Sequence, residues 1–207
     1  QKYVNSVPLY RQEKDWENLG LALSRATMAH WMIRCSEDYF QPVTEYLQKS
    51  LVSREVLHCD ETPVQVLKAP GKKPQSKSYM WLYTTSKDSE HPIVLYDYQP
   101  SRSGDNAIRF LNGFHGYLHT DGYSGYNKLE NITRCGCWAH LRRKFVEAIP
   151  DKRDKNAPRT TAEIGRDYCD QLFHLEDQMK QLTPEDRYTK LSLIHISEPT
   201  RLQLISY

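Results

Sequence analysis

A change of hydrophobic period near residue 55 constrains the fold of this chain more than any other feature of its sequence. Before that point apolar residues recur at helical spacing, whereas the residues from Glu55 predict a buried strand that ends at Thr62-Pro63, with Asp60 at its C-terminal end. Two further runs, 79–85 and 92–98, are rich in aromatic and β-branched residues and predict two more strands. The segment KAPGKKPQSKS between the first two strands predicts an exposed hairpin loop.

The elements that follow these three strands alternate between helix and strand. Ser103 is a predicted N-cap for a helix through Leu111, residues 117–120 and 132–137 predict short strands, and residues 139–149 predict a basic amphipathic helix. A three-strand meander that gains strands through helical crossovers fits a ribonuclease H-like arrangement. The predicted fold class is therefore α/β, a mixed five-stranded sheet with flanking helices preceded by a small helical segment.

The first fifty residues predict helices separated by a turn. A break at Gly20 precedes Ser24, which reads as the N-cap of a helix to about Cys35, and Pro42 lies near the start of another helix that runs to about Leu51. Helix, turn and capped helix together have the outline of a helix-turn-helix. Any helical hairpin gives the same outline, so DNA binding and simple helix packing both stay open here.

Charge and cysteine usage narrow the class of protein. The 207 residues carry a net charge of only +2, but residues 131–160 contain eight Lys and Arg against three acids. Such a basic stretch can neutralise phosphates, although a solvated helix surface is an equal alternative. The five cysteines are scattered and the first ten residues lack an apolar core, so we expect free thiols in a reducing cytoplasm. No apolar run approaches the ~20 residues that a membrane span needs, and we expect no membrane partner.

Two aspartates lie at the ends of predicted neighbouring strands. Asp60 ends the first strand and Asp121 follows the fourth, where two carboxylates could hold the divalent cations that phosphodiester chemistry uses. Gly122 is expected to let the backbone turn tightly beside them. Glu61 is the rival to Asp60, but adjacent strand residues face opposite sides of a sheet, so only one of them can serve the site. Ordinary turn or cap aspartates are the alternative.

Four sequence blocks resemble transposases of the insertion sequence 66 family, in the order of that family. They are HCDETPVQVL around Asp60, YQPSRSG at 98–104, YLHTDGYSGYN at 117–127 and CWAHLRRKF at 137–145. The segment KYVNSVPLYRQE at 2–13 is similar to the entry into the central region of the family. The resemblance covers most of residues 1–188.

The resemblance implies a metal-dependent transposase with an Asp-Asp-Glu triad. Asp60 and Asp121 match the two aspartates, which would hold two Mg²⁺ or Mn²⁺ ions. The glutamate would belong to a D-N-N-x-x-E-R block that this sequence does not contain. Glu147 and Glu163 are the nearest carboxylates, but neither lies in a matching motif. A zinc-binding cysteine pair of the family, expected further upstream, is not in this sequence either.

Basic residues in the resembling blocks are candidate DNA contacts. Arg142, Arg143 and Lys144 are predicted to contact phosphate, as is Arg102 of the P-S-R-S-G turn. His140 could touch phosphate or orient a carboxylate, and a partly buried structural histidine is the alternative. Cys135, Cys137 and His140 offer only three ligands where a structural zinc site needs four, so we disfavour zinc there.

The sequence divides into four predicted segments: a helical segment at 1–52 with a possible helix-turn-helix, an incomplete ribonuclease H-like catalytic core at 53–150, a truncated helical insertion at 151–190 and a tail at 191–207. The tail, LSLIHISEPTRLQLISY, resembles translated sequencing-adapter read-through and is predicted to be an artefact.

The function that follows is a transposase that cleaves DNA and transfers strands at transposon ends. Its partners would be transposon-end and target DNA and further copies of itself, in the bacterial cytoplasm at the nucleoid. Since the third carboxylate is missing, we expect little activity from this chain alone. A non-catalytic DNA-binding protein and an inactive transposase remnant are the rival interpretations.

Overall fold

The structure, a computed structural model, describes residues 1–67, 69, 71–86, 89–150 and 158–197. Its contacts divide the chain into two units, Gln1–Cys135 and Gly136–Tyr207. Within the described ranges, no helix is both long enough and apolar enough to cross a membrane.

The first unit begins with the predicted helices. They are α1 (Leu9–Asn18), α2 (Arg25–Cys35) and α3 (Gln41–Val52). Ser24 is the N-cap of α2, and its side chain accepts a hydrogen bond from the backbone N–H of Thr27 at 3.1 Å, as predicted. A π-helical turn, Ser36–Phe40, joins α2 to α3 without a break, which the sequence did not indicate.

A mixed sheet of five strands forms the centre of the first unit, which confirms the predicted fold class. The strands are β1 (Val56–Gln65), β2 (Lys77–Thr85), β3 (Val94–Gln99), β4 (Tyr117–Thr120) and β5 (Thr133–Gly136). Their order is β3-β2-β1-β4-β5, with β1–β2 and β2–β3 antiparallel and β1–β4 parallel. This is the ribonuclease H-like order that the sequence predicted. The predicted end of β1 at Thr62-Pro63 was wrong, because the strand continues to Gln65, which pairs with Lys77.

The core lies on one face of this sheet, beneath α4 (Gly104–Phe110) and α3. Alternate residues of β1 and β2 point into it, among them the buried Leu57, Cys59, Trp81 and Tyr83. The rings of Tyr83 and Phe110 stack with their centroids 3.8 Å apart. Ser103 caps α4, as predicted, by accepting from the N–H of Asp105. The hydrophobic core therefore fixes which residues of β1 face inward.

The second unit contains α5 (Trp138–Glu147), α6 (Thr161–Gln178) and α7 (Pro184–Ser197). α5 packs closely on α6, since a Cβ added at Gly165 would lie 2.4 Å from the Phe145 ring. Thr160 and Glu163 form a capping box at the start of α6. Residues 151–157 of the predicted insertion and 198–207 of the predicted tail lie outside the described residues. The four predicted segment boundaries stay predictions.

Candidate active site

Asp60 lies on β1, and Asp121 directly follows β4, which is the parallel neighbour of β1 in the sheet. The register pairs Val56 with Tyr117 and His58 with His119, and the two histidine rings stack at 4.7 Å. Each aspartate follows two residues after its histidine, and residues two apart on a strand share a face. Asp60 therefore shares the face of His58, opposite the buried Leu57 and Cys59, whereas Asp121 lies just beyond the end of β4, 3.9 Å from Arg102.

The two aspartates differ in their surroundings. Asp60 is exposed, and its Oδ1 accepts the N–H of Glu61 at 2.8 Å. Asp121 comes directly after β4, its side chain is 22% exposed, and its Oδ1 accepts the N–H of Tyr123 at 2.8 Å. Each carboxylate thus has one oxygen held by the local backbone, which restricts its orientation.

Glu61 points to the other face of β1, into the core, and its side chain is fully buried. Its Oε1 accepts from Nε and Nη2 of Arg102, at 2.8 and 2.6 Å. Its Oε2 accepts from the hydroxyl of Tyr126, a buried ring that meets Trp81 edge-on. Burial raises the pKa of Glu61, and the hydrogen bonds from Tyr126 and Arg102 oppose that rise.

Cys59 is influenced by the charges of three carboxylates, those of Asp60, Glu61 and Asp121. Burial raises the pKa of its thiol, and the negative charges of Glu61, Asp60 and Asp121 act in the same direction. The thiol is therefore protonated and serves as a small core residue rather than a nucleophile or a metal ligand.

Arg102 joins the buried Glu61 to the Asp121 carboxylate. Besides its bonds to Glu61, its Nη2 lies 3.9 Å from Oδ2 of Asp121. Its guanidinium lies 4.1 Å from the ring centroid of Tyr123 and 6.0 Å from that of Tyr79. The hydroxyl of Tyr123 also donates to the backbone carbonyl of Arg102. The side chain remains 42% exposed, so this predicted DNA contact is both fixed in place and accessible.

Arg134 on β5 is a site residue that the sequence reasoning missed. Its Nη2 donates to the carbonyl oxygens of Asp121 and Tyr123, at 2.7 and 3.1 Å. Its Nε donates to the hydroxyl of Thr120 at 2.9 Å. Arg134 therefore holds the turn that presents Asp121. No spacing or block marks this role, because it depends on strands that meet only in the folded chain.

Glycines allow the close approach of two loops beside the site, but Gly122 is not among them. A Cβ at Gly104, just after the Arg102 loop, would lie 2.2 Å from the carbonyl oxygen of Gly125. At Gly122 it would meet nothing within 4 Å, and the φ of this residue is not positive. The expectation that Gly122 makes the tight turn was wrong, since Tyr123 and Arg134 hold the backbone of that turn.

The remaining predicted DNA contacts belong to α5 of the second unit. Arg142 makes two bonds to Asp170 of α6, one of them 3.3 Å between Nη2 and Oδ2. Lys144 pairs with Glu147 at 2.8 Å, and Arg143 is exposed. Nδ1 of His140 is buried without a partner among the described residues. These residues share one helix, but their predicted contact with phosphate stays a prediction.

The described residues contain no group of three or more His, Cys, Asp or Glu that could hold a metal ion. Glu147 is engaged by Lys144, and Glu163 by the capping box. Both candidate glutamates thus have local partners, and the position of a third catalytic carboxylate stays a prediction.

The order of the strands, with Asp60 on β1 and Asp121 directly after its parallel neighbour β4, defines an α/β protein whose mixed sheet fits a ribonuclease H-like core. A family model described as transposase IS66 family matches residues 1–193. The chain belongs to that family of transposases.

Three curated relatives come from Sinorhizobium fredii (strain NBRC 101917 / NGR234). Uncharacterized protein y4qI is 36% identical over 160 residues, which cover 70% of this chain and 29% of the relative. Uncharacterized proteins y4jD and y4hP are 27% and 26% identical, each over 90% of this chain and 38% and 36% of their own lengths. The chain thus spans about a third of the length of the curated relatives it matches. No solved structure matches it.

Proposed function

We propose that this chain supplies two catalytic carboxylates, Asp60 and Asp121, to a DNA transposase that cleaves and joins phosphodiester bonds. The observation that carries the proposal is their position two residues beyond the paired His58 and His119. This position supports a common site, because Asp60 lies on β1 and Asp121 directly follows β4, its parallel neighbour. Membership in a transposase family makes DNA the substrate.

The donor set fits hard divalent cations such as Mg²⁺ or Mn²⁺. Both side chains offer carboxylate oxygens, which these ions prefer, and this donor pair contains no thiolate. Asp60 is exposed and Asp121 is partly exposed, so an ion has access to both. When bound, two such ions supply charge stabilisation at the attacking and leaving oxygens of the phosphate.

The protein's own part in this chemistry is to orient oxygens and charges. The N–H of Glu61 holds one carboxylate oxygen of Asp60, and the N–H of Tyr123 holds one carboxylate oxygen of Asp121. Each bond also restricts the direction of the second oxygen of the same carboxylate. Glu61 does not compete as a ligand, because both of its oxygens accept hydrogen bonds in the core. We place the third carboxylate, a glutamate, in the remainder of a longer protein comparable in length to the relatives.

DNA would be held by two basic regions. Arg102 lies beside Asp121, and α5 carries the other candidates, which are His140, Arg142, Arg143 and Lys144. We further propose that the complete enzyme works as a homo-oligomer on transposon ends and target DNA, in the bacterial cytoplasm at the nucleoid.

Binding of Mn²⁺ tests the carboxylate pair directly. We expect weak binding by the 207-residue chain, measured by electron paramagnetic resonance of the unbound ion, and its loss in Asp60→Asn and in Asp121→Asn. Asparagine keeps the Oδ1 acceptor that the backbone N–H groups use, so the local fold is retained. Asp97→Asn on β3 is the matched control and should bind Mn²⁺ as the wild type does.

Two results would count against this proposal. Undiminished Mn²⁺ binding by Asp60→Asn or by Asp121→Asn would remove that aspartate from the site. Nicking of supercoiled plasmid DNA that is equally fast in the wild type and Asp60→Asn would place the chemistry elsewhere.

A further inference from the structure

Glu61 is a buried carboxylate that the two-aspartate site does not use. It shares neither the face of Asp60 nor its exposure, and a buried carboxylate lowers stability unless it is well compensated. Here both oxygens accept hydrogen bonds, two at Oε1 and one at Oε2. Such a group beside a candidate active site calls for a role beyond packing.

The partner that Glu61 holds is fixed on several sides. Nε and Nη2 of Arg102 are occupied by Glu61, and Nη2 also approaches Asp121. The rings of Tyr123 and Tyr79 lie beside the guanidinium, and Tyr123 holds the backbone of the same residue. A planar guanidinium held along one edge keeps its other edge in a fixed direction.

The other edge of that guanidinium is available. Among the described residues none accepts from Nη1 of Arg102, which carries two N–H donors on a side chain that is 42% exposed. Phosphate oxygens are the acceptors that suit two such donors on an arginine. Since Asp121 lies 3.9 Å from Nη2, a phosphate received by Nη1 would lie close to the Asp121 carboxylate.

We propose that Glu61 is a positioning residue, which holds Arg102 so that its Nη1 edge meets a backbone phosphate of the DNA beside Asp121. This inference rests on the proposed function, because it takes that site as the place where DNA lies. Glu61 acts only through Arg102, since its own negative charge, taken alone, repels phosphate.

The sign of one measurement separates positioning from simple charge. Removal of an acidic charge ordinarily strengthens DNA binding, because phosphate is repelled less. If Glu61 positions Arg102, then Glu61→Gln weakens binding instead, even though the protein becomes more positive. Glu130→Gln is the matched control, since Glu130 is exposed and makes no described side-chain contact.

Fluorescence anisotropy of a labelled duplex, with EDTA present and NaCl varied, measures both affinity and salt dependence for the full chain. We expect Glu61→Gln to lower the affinity roughly three- to tenfold, as the loss of one charged hydrogen bond would. The plot of log K against log salt should become less steep by about 0.9, which is the contribution of one phosphate contact. Arg102→Gln should show the same two changes, and Glu61→Gln should add nothing in that background.

A second substitution keeps the proposal testable if Glu61→Gln fails to fold. Arg102→Lys retains the charge but lacks the planar fork that can hold Glu61 and a phosphate together. We expect it to bind DNA more weakly than the wild type, and full rescue by lysine would overturn the proposal.

Two further outcomes are decisive. If Glu61→Gln binds as tightly as Glu130→Gln, with an unchanged slope, positioning by Glu61 is overturned while the carboxylate site stands. If the wild type binds no duplex, the DNA contact of Arg102 falls together with the role of Glu61. The Mn²⁺ measurement is independent of DNA and then decides separately whether the Asp60 and Asp121 site survives.

Discussion

Two arginine–carboxylate pairs, one in each unit, use the same chemistry in different surroundings. The arginines are equally exposed, at 42% for Arg102 and 40% for Arg142. Their carboxylates are not, because the side chain of Glu61 is fully buried and that of Asp170 is 45% exposed. Burial raises the pKa of Glu61, whereas the hydrogen bond and charge of Arg142 lower the pKa of Asp170.

The difference shows that the burial of the carboxylate, rather than the exposure of the arginine, decides the role of such an ion pair. Glu61 depends on Arg102, since a buried charge without a partner is strongly unfavourable. Asp170 is solvated and would lose little if Arg142 turned to a phosphate. The first pair therefore fixes a geometry, and the second leaves its arginine available to exchange partners.

The largest effect should come from removing Arg102, with removal of Arg142 as the comparison. We expect Arg102→Met to lower the free energy of unfolding of the first unit by about 2–3 kcal/mol, because Glu61 stays buried without its cation. Arg142→Met should cause a much smaller loss in the second unit. Hydrogen exchange followed by mass spectrometry resolves the two units. Equal losses of stability in both units would contradict the proposed difference between the two pairs.

A smaller effect should follow from disturbing the loop that carries Arg102. Gly104→Ala places a Cβ against the Gly125 carbonyl, and we expect a loss of about 1–3 kcal/mol from the forced backbone shift. Gly122→Ala is the matched control and should be neutral or slightly stabilising, since nothing lies within 4 Å. Urea denaturation measures both, and equal losses would show that the approach of the two loops is unimportant.

The smallest effects should appear in the pH dependence, with opposite signs for the two pairs. The pKa of Glu61 is raised on folding, so the folded state retains the proton longer, and stability falls as pH rises from about 4.3 through the raised pKa. The pKa of Asp170 is lowered, so its contribution is present above about 3.9 and is lost as pH falls through the lowered pKa.

Matched substitutions identify these contributions. Glu61→Gln should remove the fall in the first unit, and Asp170→Asn should remove the acid loss in the second, in unfolding measured across a pH series. If the first unit of the wild type instead gained stability as the pH rose through the raised pKa of Glu61, burial would not be the main influence on that carboxylate.

The fold could be predicted from the sequence because its signals are local. Ser24 and Ser103 cap the helices they were expected to cap, and the strand patterns around Asp60 and Asp121 gave the sheet. The presence of Pro63 led to a wrong prediction for the end of β1, because pairing with β2 continues beyond that residue. The π-helical turn at Ser36–Phe40 left no compositional mark.

The candidate site could be predicted only in part, because its supporting contacts join residues far apart in sequence. Alternation along β1 correctly separated Asp60 from Glu61 onto opposite faces. It gave no hint that Arg102 and Tyr126 would meet at Glu61, or that Arg134 would hold the carbonyls at Asp121. Those contacts follow from the packing of loops, which no periodicity encodes.

The π-helical turn between α2 and α3 sets the rotational phase of one helix against the other. An α-helix advances about 100° per residue, so one residue removed from Ser36–Phe40 would rotate α2 by roughly that angle about the common axis. Met28, now buried, would swing away from its present neighbours while every amino acid of α2 stayed the same. The length of this five-residue turn, more than its composition, therefore decides which side of α2 faces the protein.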